Sequence, residues 1–590
     1  MKDFVKTMLA VICGYLVLQI ITFILFLIML GGALAGGSSA PIPKEGVLDL
    51  NLADFSLQEQ TQEMSMPSFS GMSFSMPQEQ VGIWEAVRAL DAAAADPGVK
   101  YLFLRPEGAS MGLAAAEELR AALADFRRSG KPVVAWLESP ANGSYYMASV
   151  ADKVYLSSYK GASYNLVGLS TQIMFLKDIL DKLGVNVQLI RHGKYKSAGE
   201  MFIRSSSSPE NREQNQVMMN SAWKTLSSAV AASRDISEAQ FNALVDNLAF
   251  VLPEDLLEAG LVDELMNREQ LQAKLCSLAG VADQSKLHLI PFADYVSAKV
   301  QAPLRGNVAV IFANGEIVES TDDLQNVAGD RFAREIEKVT RNESIKAVVL
   351  RVNSPGGSVS ASAKIKTALD SLKAHKPLVA SYGNYAASGG YWISNGCEKI
   401  FADANTITGS IGVFSMIPEF SKTSRKLGVT IESIGSNKHS DLYGGMRPLD
   451  AAELQYMQAS VEDIYETFVN LVAEGRGMEP SAVDAIAQGR VWMGSDALGI
   501  GLVDEVGTLK DAVAYAASLA GLTVEEAKVV GYPKPLTLME QVMESMGKGS
   551  SAPAILTGTP FEAMEGAVRD LQSQQPGVMM ARLPYAYDIR

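Results

Sequence analysis

Apolar positions along the chain fall into three patterns. The first is an almost unbroken run from Met8 to Leu30, in which no residue is charged and only Gln19 and Thr22 are clearly polar. At ~1.5 Å rise per residue a helix over that run is about 35 Å long, enough for a ~30 Å hydrocarbon layer. Lys2 and Lys6 precede it, which by the positive-inside tendency keeps the first residues cytoplasmic and sends the rest across. Ala33-Leu34-Ala35 offers the small residues of a leader cleavage site. A leader's apolar stretch is usually only ~7–15 residues, so a retained anchor is the expectation.

The second pattern is the short β-branched run bounded by Gly, Pro or Asn, as at Ala347–Val352, Pro377–Tyr382 and Lys399–Ala402, which predicts strands. The third is the amphipathic stretch with apolar residues at helical spacing, as at Ser360–Ala374. Their alternation predicts an α/β fold, a parallel sheet with crossover helices. Two segments fit neither pattern. Glu59–Gln80, rich in Met, Ser, Gln and Pro, reads as a mobile insertion, and Gly547–Pro560 as a Gly/Ser/Pro-rich break before a C-terminal tail.

The α/β pattern occurs twice. Leu102-Phe-Leu-Arg105 matches Val348-Val-Leu-Arg351, and Lys131-Pro-Val-Val-Ala135 matches Lys376-Pro-Leu-Val-Ala380. Lys182-Leu-Gly-Val185 matches Lys426-Leu-Gly-Val429, and Gly260-Leu-Val-Asp-Glu264 matches Gly501-Leu-Val-Asp-Glu505. Four colinear matches with a slowly drifting offset mark two copies of one unit of about 240 residues. The expected organisation is a cytoplasmic start and anchor at 1–36, an N-terminal repeat at 46–290, a C-terminal repeat at 291–535 and a tail at 536–590.

Composition changes this picture little: 48% apolar and 20% charged residues are ordinary for a globular chain. A net charge of −15 without any basic run disfavours nucleic-acid partners, whose phosphates would be repelled. The three cysteines, Cys13, Cys276 and Cys397, have no paired spacing, which argues against a disulfide framework or a cysteine zinc site. No ligand cluster for a metal or organic cofactor is visible, and none is expected.

Candidate chemistry sits where the copies differ. After Arg351 the second copy reads Asn353-Ser-Pro-Gly-Gly-Ser358, where the first reads Pro106-Glu-Gly-Ala-Ser110. A Gly-Gly turn at a strand end leaves backbone N–H groups open, as an oxyanion hole requires, although a plain strand-to-helix turn reads the same way. Asn384-Tyr-Ala-Ala-Ser-Gly-Gly-Tyr391 places Ser388 among small neighbours after a strand, fit for a nucleophile or for a helix N-cap. The equivalent position in the first copy is Asn142. Of the four histidines, His375 lies at the wrong end of its strand and His288 between the copies, leaving His192 and His439 as conceivable bases. Lys196, in Gly193-Lys-Tyr-Lys-Ser-Ala-Gly-Glu200, is the better candidate; its counterpart in the second copy is Ser440. An exposed lysine stays protonated near its ordinary pKa of ~10.4, so Lys196 is either a surface residue or a desolvated, neutral base.

Together Tyr195-Lys-Ser-Ala198, Asn353-Ser-Pro-Gly-Gly357, Ala387-Ser-Gly-Gly-Tyr-Trp-Ile-Ser394 and Thr408-Gly-Ser-Ile-Gly412 resemble the bacterial signal peptide peptidase A family in its long, double-copy protease IV form. The resemblance runs from the anchor to Pro584-Tyr585 and implies tandem Clp/crotonase-like units. It also implies a Ser–Lys dyad with Ser388 as nucleophile and Lys196 as base. Gly357 and Gly389 then supply oxyanion N–H groups and Ser410 orients the lysine. Implied with these are apolar peptides, released signal peptides among them, as substrates. The implied setting is a homo-oligomer, a tetramer in expectation, held in the bacterial inner membrane through Met8–Leu30 with its bulk on the periplasmic side. Two rivals remain. One is a crotonase-like acyl-CoA enzyme, which an export anchor disfavours. The other is a catalytically inactive peptide-binding scaffold of the same fold.

Overall fold

The computed structural model describes residues 42–61, 79–300, 305–321, 326–534 and 578–583, together with Gly14, Pro303 and two short strands at Ser68–Ser70 and Ser73–Ser75. The run Met8–Leu30, apart from Gly14, and the break Gly547–Pro560 lie outside the described residues. Among the described residues no helix is long and apolar enough to cross a membrane.

Two sheets carry the fold, the first parallel throughout and the second parallel except for Val491–Met493, and their corresponding strands run in the same order. In the first repeat the order is Glu264–Met266, Lys153–Ser157, Val133–Leu137, Val99–Arg105, Gly46–Asn51, Leu289–Pro291. In the second it is Glu505–Val506, Ile400–Ala402, Leu378–Ala387, Ala347–Ser354, Val308–Asn314, Val529–Tyr532. Small contacts repeat as well. The Tyr145 hydroxyl donates to the Leu261 carbonyl (2.6 Å) and that of Tyr391 to Leu502 (2.9 Å). Asp263 accepts from the Val154 N–H and Arg234, and Asp504 accepts from the Ile400 N–H and Arg476.

Local sequence explains the elements. Ser358 caps the Val359–Lys373 helix by accepting from the Ala361 N–H, and Ala361, Ile365, Leu369 and Leu372 form its buried face. Asp450 caps the Ala451–Arg476 helix, which Gly477 ends in the left-handed region at φ 62°. The helix Phe292–Lys299 buries Phe292, Tyr295 and Val296 in the core of the first repeat. Glu59, at the start of the Met-rich segment, is also buried. The strands Phe55–Gln58 and Glu79–Gly82, which flank most of that segment, pair in parallel.

A third sheet joins the repeats. Asn186–Arg191 of the first pairs antiparallel with Phe414–Glu419 of the second, in register from Phe414 opposite Arg191 to Glu419 opposite Asn186. That pairing carries the loop after Arg191, with Lys196 in it, into the second repeat.

Candidate active site

Ser388 stands where the Leu378–Ala387 strand meets the Gly389–Ser394 helix. This strand is twice the length of its counterpart Val133–Leu137, ten residues against five. Its extension pairs with Ile407–Gly409, which carries Ser410 into the site. Ser388 has φ 54° and ψ −111°, a strained conformation worth about 1–3 kcal/mol that persists only because its surroundings enforce it. Its side chain makes no capping bond; its Oγ instead lies 2.9 Å from Lys196 Nζ.

Lys196 is wholly buried. Its Nζ also lies 3.0 Å from Ser410 Oγ and 3.3 Å from the Ser410 carbonyl, and over the Phe414 ring at 5.9 Å. It has no carboxylate partner among the described residues, so burial alone governs it and holds the amine well below the ordinary lysine pKa. A neutral amine has two N–H donors and one lone pair. The two donors suit the Ser410 oxygens, and the lone pair suits the Ser388 hydroxyl.

The lysine fits because the second repeat leaves it room. A Cβ on Gly489, whose φ is 76°, would stand 2.5 Å from that of Lys196, and one on Gly412 would stand 3.2 Å from Lys196 Cδ. Gln214 fastens the lysine loop to the second repeat: its Nε2 donates to the Tyr195 carbonyl (3.2 Å) and Ser197 Oγ (3.0 Å), and its Oε1 accepts from the Val491 N–H (3.3 Å). Neither Gly489 nor Gln214 was legible as part of the site, because the contacts of Gly489 with Lys196 and of Gln214 with Val491 each span hundreds of residues.

Gly356, which precedes Gly357 in the turn, abuts Gly389 beside Ser388. A Cβ on Gly356 would stand 2.6 Å from the Gly389 nitrogen, and one on Gly357 would stand 1.9 Å from the Ile317 carbonyl, so only glycine fits this turn. All five predicted residues, Ser388, Lys196, Gly357, Gly389 and Ser410, therefore meet in one place. The histidines do not join them. His192 pairs with Glu462 and stacks on Tyr465, and His439 pairs with Glu453 (2.9 Å). His439, Asp450 and Glu453 could face one cation, but Arg447 already holds Glu453 at 2.7 Å.

Behind the site, Arg351 is buried between Glu59 and Glu118, each at 2.7 Å. Glu117, Glu118 and Asp403 all sit above the usual carboxylate range, chiefly through burial.

Comparison with known proteins fixes the class: this is a serine peptidase. The model of "Peptidase family S49" matches residues 125–282 and 370–523, one segment in each repeat, and the chain belongs to that family. It is 35% identical to Protease 4 of Haemophilus influenzae, over 84% of this chain and 83% of that one. To Protease 4 of Salmonella typhi it is 34% identical, over 89% and 87%. To the chloroplastic serine protease SPPA of Arabidopsis thaliana it is 30% identical, over 77% and 68%. ClpP1 of Listeria monocytogenes aligns at 20% identity over 34% of this chain and 92% of its own, with a TM-score of 0.22.

Proposed function

We propose that Ser388 and Lys196 form the catalytic dyad of a membrane-anchored endopeptidase that degrades apolar peptides, released signal peptides among them, outside the cytoplasm. The observation that carries this reading is the buried Lys196 amine 2.9 Å from Ser388 Oγ with no acid beside it. Ser388 Oγ attacks the substrate carbonyl while Lys196 Nζ takes its proton. The N–H groups of Gly357 and Gly389 hold the oxyanion. Lys196 then gives the proton to the leaving amine, and a water activated by the same amine releases the acyl group. Ser410 positions the amine through both its oxygens. Met8–Leu30 anchors the chain in the bacterial inner membrane, and the working form is a homo-oligomer, a tetramer in this reading.

The test is hydrolysis of an apolar fluorogenic peptide by wild type, Ser388→Ala and Lys196→Met. Activity in the wild type alone supports the dyad. Activity that survives Lys196→Met overturns the lysine's role, and inactivity of every folded form favours a peptide-binding scaffold.

A further inference from the structure

A cavity of about 450 Å³ opens between the repeats, where the strands Val308–Asn314 and Ala347–Ser354 of the second sheet end. Tyr385 and Ile407 line it, opposite each other in the two strands that lead into Ser388 and Ser410. Each stands three residues short of its serine. At ~3.3 Å rise per residue the cavity therefore opens about 10 Å from the dyad, the span of three residues of an extended peptide.

Its lining holds no lysine, arginine or histidine. The first repeat contributes Gln58 and Glu59, and the second contributes Asn314, Asn353, Asn384 and Asn405. Most of these asparagines are committed to the fold. Asn353 Nδ2 donates to Asn314 Oδ1 (2.9 Å), and Asn353 Oδ1 accepts from the Tyr385 N–H (3.2 Å). Asn384 Oδ1 accepts from the Ala115 N–H (3.4 Å) in the first turn of the Leu113–Arg128 helix. Asn405 differs. It is only 3% exposed, its backbone N–H donates to Glu117 Oε1 (2.9 Å), and its side-chain Oδ1 has no hydrogen-bond partner among the described residues. A buried amide oxygen without a donor is costly, and an N–H group entering the cavity would satisfy it.

Charge selects the ligand. One guanidinium, that of Arg351, faces the carboxyl groups of Glu59, Glu118 and Asp403, and Glu117 lies against Asn405. Glu59 itself borders the cavity. An anion would meet these acids with no base in the lining to receive it. A cation finds acceptors in Glu59 and Asn405, and Leu57 and Met111 offer an apolar wall to a long aliphatic stem.

We propose that this cavity is a subsite for the basic side chain, arginine or lysine, of a peptide substrate, held three residues from the bond that Ser388 attacks, with Asn405 Oδ1 and Glu59 as its acceptors. Its place in catalysis rests on the dyad reading above. A leader peptide has a basic stretch followed by an apolar one, so an endopeptidase with this subsite cuts near their junction.

The test uses apolar fluorogenic peptides that carry arginine, or its neutral isostere citrulline, three residues to either side of the scissile bond. Wild type should show kcat/KM about tenfold higher for arginine than for citrulline at one of the two positions. That ratio should fall to about one in Asn405→Leu and in Glu59→Gln. Because it compares two peptides on one protein, a folding defect that slows every reaction leaves it unmoved. A wild-type ratio of one at both positions overturns the subsite and leaves the dyad standing. A ratio that survives in both variants overturns it too, since the cation is then read elsewhere. Calorimetry of the same peptides on Ser388→Ala reads the subsite without cleavage. If no form of the protein cuts any peptide, tighter binding of the arginine peptide there keeps the subsite and drops the dyad, and equal binding drops both.

Discussion

The two repeats share a strand order and even single hydrogen bonds, yet only one presents a serine. In the first repeat Asn142 occupies the place of Ser388, and its amide is bound to the Gly168 carbonyl at 2.8 Å. The place of the glycine turn is taken by the stretch containing Glu107, whose carboxylate accepts the N–H groups of Glu138 and Ser139. Conversely, the second repeat's counterpart of Lys196, Ser440, is exposed and bonds only locally, to the Asn437 carbonyl at 3.0 Å. The difference teaches that the scaffold is indifferent to the chemistry. One copy keeps the serine and its turn and the other the lysine. The pairing of Asn186–Arg191 with Phe414–Glu419 brings the halves of the site together.

The comparison breaks most sharply at the serine. Ser388→Ala should lower peptide hydrolysis by about 10³-fold or more, and adding Asn142→Ser should restore none of it, because the Lys196 amine lies against position 388. Lys196→Met should cost about 10²–10⁴-fold in rate, as removal of a general base does. It should also raise the melting temperature at pH 7. The unfolded chain carries a proton on Lys196 up to pH ~10.4 and the fold does not, so wild-type stability rises with pH across that window and the variant's advantage fades towards pH 10.

The matched arginines sharpen the comparison energetically. Arg351→Met strands Glu59 and Glu118 and should cost about 3–5 kcal/mol in chemical denaturation. Arg105→Met removes a partly exposed partner of Asp49 and should cost about 1 kcal/mol or less. The smallest effect expected is a slope. Burial pushes Glu117 up to about 7 and holds Asp403 well above the usual carboxylate range, so the fold keeps protons there that the unfolded chain has released above pH ~4, and that contribution is lost as pH rises towards neutrality. Asp403→Asn should flatten this decline between pH 5 and 8. An unchanged slope would remove Asp403 from the cluster's titration.

Much of this was legible in one dimension. Strands and helices follow from apolar period, and the Leu378–Ala387 strand, expected to end at Tyr382, runs further because its extension pairs with Ile407–Gly409. The duplication follows from four matched segments, and Ser388, Gly357 and Gly389 from small residues at strand ends, where backbone must be left open. Lys196 stood out because the second copy lacks it at the matching place. Sequence alone could not tell a surface lysine from a base, because desolvation is a property of what surrounds the amine. Gly489, Gly412 and Phe414 provide those surroundings from the other repeat. Glu59 read as part of a loose insertion, and it became a buried ion only against Arg351. Met580–Arg582 read as part of a tail and pairs as a strand with Gly356–Ser358, since strand pairing depends on which backbone edges are left open in space. Side-chain chemistry and period are local and were written in the chain. Burial, proton affinity and pairing are sums over neighbours, and only the folded molecule supplied them.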